Sequence, residues 1–317
     1  MLKNVVAICG MNGHQIHEAL LNHPLAEIGG LYDCMVLNSD SRFDSFKRYD
    51  NYDAVLNDAD INLVSLCSAY RSEQAEQAVL AMKAGKNVYA EKPCAMTVSD
   101  FNMLVLTVKE TGMYFREMSN GIAEALPFLL IKETVESGIL GDIIQIFAQK
   151  SYPNHTDRPQ NENVDGGQLL QNAAYTLRMA EQVVGLKVIE ITAYQTHKGN
   201  LKNSGLVTAV SIAARLENGA LMSALSNYCN QRTFGIWGNE TLRVFGTKGF
   251  AEVVDGGRMS RLVTKDQDYG EIVLKGKERN YLDDYLAFLL NKGLMKRSME
   301  EELHPTKMAI IAREESK

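Results

Sequence analysis

The chain has 317 residues, 45% of them hydrophobic and 23% charged, enough for two domains with sizeable cores. A net charge of −6 and a pI near 5.6 leave no basic stripe to follow a phosphate backbone, which excludes nucleic acid as a partner. No stretch approaches the roughly 18 apolar residues of a membrane helix, and the N-terminal MLKNVVAICG is too short an apolar run for a signal peptide. Cys9, Cys34, Cys67, Cys94 and Cys229 form no CxxC pair, so neither a disulfide framework nor a metal site is expected, and a reducing cytoplasm is the default location.

Taken in chain order, the first 118 residues alternate between two periods. Val5–Cys9 is an apolar strand, followed by Gly10, Gly13 and a helical pattern at Ile16, Ala19 and Leu20. Ala26–Tyr32 and Ile61–Cys67 are strands. Gln74–Ala84 is a helix with Ala75, Ala78, Val79 and Met82 on one face. Lys86–Ala90 is a strand and Thr97–Glu110 a helix capped by Thr97 or Ser99, with Gly112 and Met113–Arg116 after it. Such alternation implies βαβ units and a parallel sheet, covered on both faces because the strands are apolar throughout.

Beyond residue 119 the rhythm changes. A helix is expected at 123–137 and a strand at Ile143–Lys150. The stretch PNHTDRPQNENVDGG is a loop, followed by a helix from Gly167 to Val184. Strands are expected near Val188–His197, Leu206–Leu216, Ala220–Tyr228, Thr233–Gly238 and Glu240–Phe245, with hairpin turns in NGALMSAL and GTKGFAEVV. Helices at Asn280–Asn291 and His304–Arg313 close the chain. The fold class is therefore an α/β parallel-sheet domain over 1–118, then an α+β domain with a mostly antiparallel sheet over 119–317. The C-terminal helices are available to pack back on the first domain.

The first strand-to-helix junction reads VVAICGMNGHQIHEAL. A dinucleotide turn uses G-x-G-x-x-G for a tight bend and close approach to pyrophosphate. Gly10 and Gly13, with Met11 and Asn12 between them, match the second and third glycines, and Ile8 stands at the first. Two glycines also occur in ordinary βα turns. His14 and His17 read as capping or surface residues. Asp33 follows the second strand, 20 residues past Gly13, where an acid bonds the adenosine ribose and repels a 2′-phosphate, favouring NAD over NADP. A strand-ending turn aspartate is the plainer alternative.

Residues 87–96, NVYAEKPCAM, resemble the signature of the glucose–fructose oxidoreductase / inositol dehydrogenase (Gfo/Idh/MocA) family. The longer stretch INLVSLCSAYRSEQAEQAVLAMKAGKNVYAEKPCAMTVSD is similar to the family's central region, as are PFLLIKETVESGILGDI and GGQLLQNAAYTLRMAEQVVG. The resemblance implies a Rossmann domain followed by an open-sheet α/β domain. It implies hydride transfer between NAD(P) and a hydroxyl or ketone of a sugar or cyclitol, and a homodimer or homotetramer formed through the open sheet. It carries Lys92 into the role of the catalytic lysine beside the nicotinamide, Pro93 into a turn that is often cis, and Glu91, Ser68, Ala69 and Tyr70 into contact with the cofactor. A partly desolvated lysine exchanges a proton readily with a reacting hydroxyl; the bland reading of Glu91-Lys92-Pro93 is a surface turn. Gln74 stands where the family usually has histidine.

The family's second motif, D-x-G-x-H, is replaced here by Gln171-Asn172-Ala173-Ala174-Tyr175. Gln171 cannot carry the aspartate's charge, and Tyr175, resting near 10 where histidine rests near neutrality, either acts as acid or base with Lys92 or only fills a pocket. The acidic residue usual one turn later is Arg178, and NENVD replaces an arginine-containing segment. His155, Asp165, Gln171 and Asn172 are candidate substrate-binding residues; His155 is equally an ordinary loop residue. Cys94 reads as packing, and Trp237 as a subunit-contact or core residue. Two readings stay open: an active dehydrogenase, or an altered family member that binds nucleotide or sugar without turnover.

Overall fold

The computed structural model describes residues 3–118, 125–153, 158–200, 205–272 and 280–316. The chain divides into two compact units. One comprises Met1–Ser119, Asn163–Asp165 and Asn280–Leu303; the other comprises Asn120–Glu162, Gly166–Arg279 and His304–Lys317.

The first unit is a five-stranded parallel sheet of β1 (Asn4–Cys9), β2 (Ala26–Tyr32), β3 (Leu63–Leu66), β4 (Asn87–Ala90) and β5 (Phe115–Glu117), in the order β2-β1-β3-β4-β5. The strands are apolar because both faces are covered: every residue of β3 is buried. A sixth extended segment touches the edge only through a parallel bridge between Leu31 and Arg48. Short helices α1 (His17–Leu20) and α2 (Tyr52–Leu56) and longer helices α3 (Gln74–Lys83) and α4 (Val98–Thr111) connect the strands. The expected face of α3 is buried. Thr97 caps α4, its hydroxyl accepting the Asp100 N–H at 3.0 Å, and left-handed Gly112 ends it. Helix α8 (Tyr281–Leu289) lays Leu282, Tyr285 and Leu286 into the core with Val6, Ile8 and Tyr89. There the Tyr285 hydroxyl meets the carbonyls of Val88 and Tyr114 at 3.1 and 3.2 Å.

The helix expected after the glycines is a single turn. Left-handed Asn22 (φ 63°) and Pro24 follow α1 almost at once, and neither conformation continues a helix.

The second unit holds α5 (Leu126–Glu136), β6 (Ile143–Pro153), α6 (Glu162–Asp165, whose last three residues fall in the first unit), α7 (Ala174–Arg178), β7 (Val188–Thr196), β8 (Ala209–Leu216), β9 (Leu221–Asn230), β10 (Thr241–Gly246), β11 (Gly249–Val254), β12 (Met259–Thr264), β13 (Asp268–Glu271) and α9 (Met299–Glu314, which begins in the first unit). Its sheet runs β13-β12-β11-β10-β6-β9-β8-β7, antiparallel at every junction except the parallel pair β6–β9. Strict alternation in β8 and β9 marks one buried and one outward face. Helix α7 lies between two π-helical segments, Leu169–Ala173 and Met179–Val184, and left-handed Gly185 (φ 81°) ends the run.

Several expectations are corrected. Thr233–Gly238 is not a strand. Its first residues form a 3-10 turn, Arg232–Phe234, closed by left-handed Gly235 (φ 70°), and the extended chain resumes only at Thr241. Trp237 therefore sits in an irregular connection, 56% exposed, with its ring 6.0 Å from that of Tyr152. The polar stretch after β6 contains the helical turn α6. Strands β12 and β13 were not anticipated. The final helix begins at Met299. Among the described residues no helix is long and apolar enough to cross a membrane.

Candidate functional site

The register of the first sheet brings three strand ends to one edge. Cys9 pairs with Leu66 and Leu66 with Ala90, so Gly10, Cys67 and Glu91 leave the sheet side by side. The link is tight: the Cys67 N–H donates to Cys9 O at 2.8 Å and the Glu91 N–H to Leu66 O at 2.8 Å. The chain proceeds in opposite directions from β1, to β2 on one side and β3 on the other. That reversal opens the crevice where such sheets take ligands.

Both glycines of the turn are required by geometry. Gly10 is left-handed (φ 74°), and a Cβ there would strike the Cys67 carbonyl. Gly13 has φ 128°, and a Cβ there would enter the Glu91 carboxylate. That carboxylate lies beneath the turn, almost wholly buried. Its Oε2 accepts the His14 backbone N–H and the His14 imidazole, with Nδ1 at 2.8 Å, while Oε1 accepts the Lys92 N–H at 2.8 Å. Burial alone would raise its pKa. The His14 hydrogen bond and the charges of Lys92, His14 and Arg71 overturn that, holding the group at about 2.

Behind the turn lies a guanidinium that the sequence reading missed. Arg71 is 1% exposed; its Nη2 donates to Asn12 O at 2.7 Å and its Nη1 to Gln74 Oε1. Burial pulls this guanidinium below its usual value, opposed by Glu91, Cys67, Asp165 and Glu117. Gln74, in the position where histidine was expected, donates from Nε2 to Glu91 O at 2.5 Å and Pro93 O at 3.0 Å. It thus braces the backbone on both sides of Lys92. Lys92 is 4% exposed and the Lys92–Pro93 bond is cis. Cys94 is fully buried, its N–H held by Glu117 Oε1 at 2.6 Å.

Asp33 follows β2 directly, exposed and left-handed (φ 52°). Arg42, the nearest following cation in sequence, is engaged with Asp40 at 2.6 Å and Glu18 at 2.9 Å. Ser68 is buried with its hydroxyl on Gln77 Oε1 at 2.6 Å, while Ala69 and Tyr70 are exposed. Asn12 reaches across with Nδ2 to Ala69 O at 3.0 Å and Val164 O at 2.6 Å, tying α6, and with it buried Asp165, to the turn. The first unit therefore gathers Gly10, Met11, Asn12, Gly13, Glu91, Lys92, Ser68, Ala69, Tyr70 and Asp165 around one sheet edge, with Asp33 at the end of β2.

In the second unit, Tyr175 is half-buried on α7, and the Lys150 ammonium lies 3.9 Å from its ring centroid. That ammonium also bonds Glu240 Oε1 at 2.5 Å and lies 5.1 Å from the Tyr152 ring. Lys150 is 4% exposed and was not anticipated; a lysine on the buried face of an alternating strand was the available signal. Asn172 donates to Gln168 Oε1 at 2.6 Å, Gln168 to Ser226 Oγ at 2.9 Å, and Ser226 to Lys150 O at 2.9 Å. The Asn172 amide is thus part of a buried chain between helix and sheet. Gln171 is half-buried on the preceding π segment, and Arg178 is buried with Nη2 on Thr306 Oγ1 at 2.6 Å. His155 lies outside the described residues.

Comparison with known proteins follows the same division. Residues 4–117 match the family model described as "Oxidoreductase family, NAD-binding Rossmann fold". Residues 128–252 match "GFO/IDH/MocA C-terminal domain". The chain is 35% identical over 100 residues to the uncharacterized oxidoreductase YhhX of Escherichia coli, a match covering 32% of this chain and 28% of that protein. It is 25% identical over 251 residues to the myo-inositol 2-dehydrogenase of Thermotoga maritima, covering 77% of this chain and 72% of that one. Among solved structures, the aldose-aldose oxidoreductase from Caulobacter crescentus superposes with a TM-score of 0.80 at 18% identity, covering 98% of both chains. That last likeness is one of fold.

Proposed function

The chain belongs to the Gfo/Idh/MocA oxidoreductase family, and from that premise we propose that it is a nicotinamide-dependent dehydrogenase of a sugar or cyclitol hydroxyl, or of the corresponding ketone. The observation that carries the reading is Lys92: a lysine held almost without exposure at the carboxyl edge of a parallel sheet, beside a glycine turn that tolerates no Cβ. A surface turn would leave such an ammonium in water.

The residues fit a dinucleotide. Gly10 and Gly13 keep the β1 turn free of side chains, Asp33 stands exposed at the end of β2 for the adenosine ribose hydroxyls, and Ser68, Ala69 and Tyr70 border the crevice after β3. With a carboxylate at residue 33 and Arg42 engaged elsewhere, NAD is favoured over NADP. A bound nicotinamide supplies the acceptor for the hydride that leaves the carbinol carbon. The Lys92 amine takes the proton released from the carbinol oxygen, or returns it in the reverse direction, and its positive form stabilises charge developing on that oxygen. Gln74 fixes the flanking carbonyls, so the amine is presented from a rigid support. Tyr175 is the expected second group at the substrate, with the Lys150 ammonium over its ring. Asp165, Gln171, Asn172 and His155 remain the proposed substrate contacts, and a homodimer or homotetramer through the open sheet the proposed assembly.

The engagement of Tyr175 by Lys150, with no ionisable residue at 171, also supports the second reading, a family member that binds without turnover. A panel of sugars and inositols followed at the nicotinamide absorbance separates the two. Turnover lost in Lys92→Ala, with NAD affinity kept, supports the dehydrogenase; no hydride transfer with any polyol sinks it.

A further inference from the structure

Three backbone donors of the β1 turn already have partners within the protein. The Asn12 N–H is committed to Cys67 O at 3.2 Å and the Gly13 N–H to Met11 O at 3.1 Å, and the His14 N–H goes to Glu91. The helix that follows is one turn long and adds little dipole. The His14 side chain lies on this turn, 74% exposed, and is anchored through Nδ1 to the buried Glu91 carboxylate.

We propose that His14 is a diphosphate-binding residue, its imidazolium fixed by Glu91 through Nδ1 and donating from Nε2 to the phosphates of the dinucleotide. The assignment rests on the dinucleotide reading given above and names a contact that the glycine turn alone does not provide.

The chemistry follows from the anchor. A carboxylate held ionised can only accept, so Nδ1 carries a hydrogen. In the neutral ring Nε2 is then a bare acceptor facing outward, which an anion repels. Protonation turns it into a donor and adds a charge where a diphosphate needs both. The charged groups facing this ring are Glu91 below it, with Lys92 and Arg71 acting on the same carboxylate. Lys92 and Arg71 are buried, whereas the His14 ring stands exposed on the turn.

The test uses the full chain and three probes: NADH, ADP and adenosine. Titration calorimetry should show NADH and ADP binding about tenfold or more weaker in His14→Gln than in the wild type, with adenosine unchanged. Equal ADP affinity in wild type and His14→Gln, or an equal loss for adenosine, overturns the proposal. If the wild type binds neither NADH nor NADPH, the dehydrogenase reading falls first and this contact with it. Binding of NADH that is unaffected by His14→Gln removes only the contact.

Discussion

Replacing Glu91 with glutamine tests the arrangement on which the site depends. The carboxylate accepts three N–H groups, two from His14 and one from Lys92. An amide offers one oxygen, so at least one buried donor loses its acceptor and faces an NH2 group, at a cost of about 1–3 kcal/mol. The charge contributes separately. The fall of the carboxyl pKa from its usual 4.5 to about 2 corresponds to about 3 kcal/mol of preference for the ionised form in the folded state. Because the folded value lies below the unfolded one, this stabilisation is complete above about pH 5 and drains away as the pH falls toward 2. Glu91→Gln should therefore be destabilised by a few kcal/mol at pH 7, and its gap from wild type should narrow on acidification. Thermal melting at pH 7 and pH 3.5 reads the gap, and amide exchange in peptides covering residues 10–16 and 88–95 localises it. A gap of the same size at both pH values would refute the ionised anchor.

Two substitutions probe the same edge. Gly13→Ala places a Cβ into the Glu91 carboxylate at a φ that L-residues rarely adopt, so it should lower the melting temperature and weaken NADH binding by tenfold or more in fluorescence titration. Asp33→Ser removes the carboxylate proposed to meet the adenosine ribose. It should raise the ratio of NADPH to NADH affinity by about tenfold or more, whereas an unchanged ratio would leave Asp33 as a turn residue.

What the sequence reveals of this architecture is uneven, for physical reasons. The parallel sheet was legible because β1, β3 and β4 are continuous apolar runs between turn residues, a pattern that only a doubly covered sheet produces. The hairpins at Gly219 and at Thr247-Lys248 were legible from alternation and turn chemistry. Strands β12 and β13 were not, because one is half-exposed and the other almost wholly so, and little hydrophobic periodicity is left to read. The short α1 was hidden because Ile16 and Leu20 keep a helical spacing that Asn22 and Pro24 then cut off. At the candidate site, Gly10, Gly13, Glu91 and Lys92 were singled out from local motifs. Arg71, Gln74 and His14 act across 59, 17 and 77 residues of sequence respectively, and such pairings leave no local trace. Lys150 with Tyr175 belongs to the same kind.

The long-range contacts also suggest why an acid and a base stand next to each other after β4. Glu91 faces the glycine turn and fixes it through three hydrogen bonds; the next residue is the buried lysine. Gln74 grips the carbonyls of residues 91 and 93, and Arg71 joins Gln74 to the turn at Asn12. The glycine turn and the lysine are thereby held by one closed network rather than by two independent loops. A shift of the turn on loading would be transmitted to residue 92 through a single peptide unit, since the Lys92 N–H is itself bonded to the Glu91 carboxylate. Rigid coupling of this kind gives proximity without a moving lid, and it makes the ionisation of Glu91 the condition on which both halves of the edge depend.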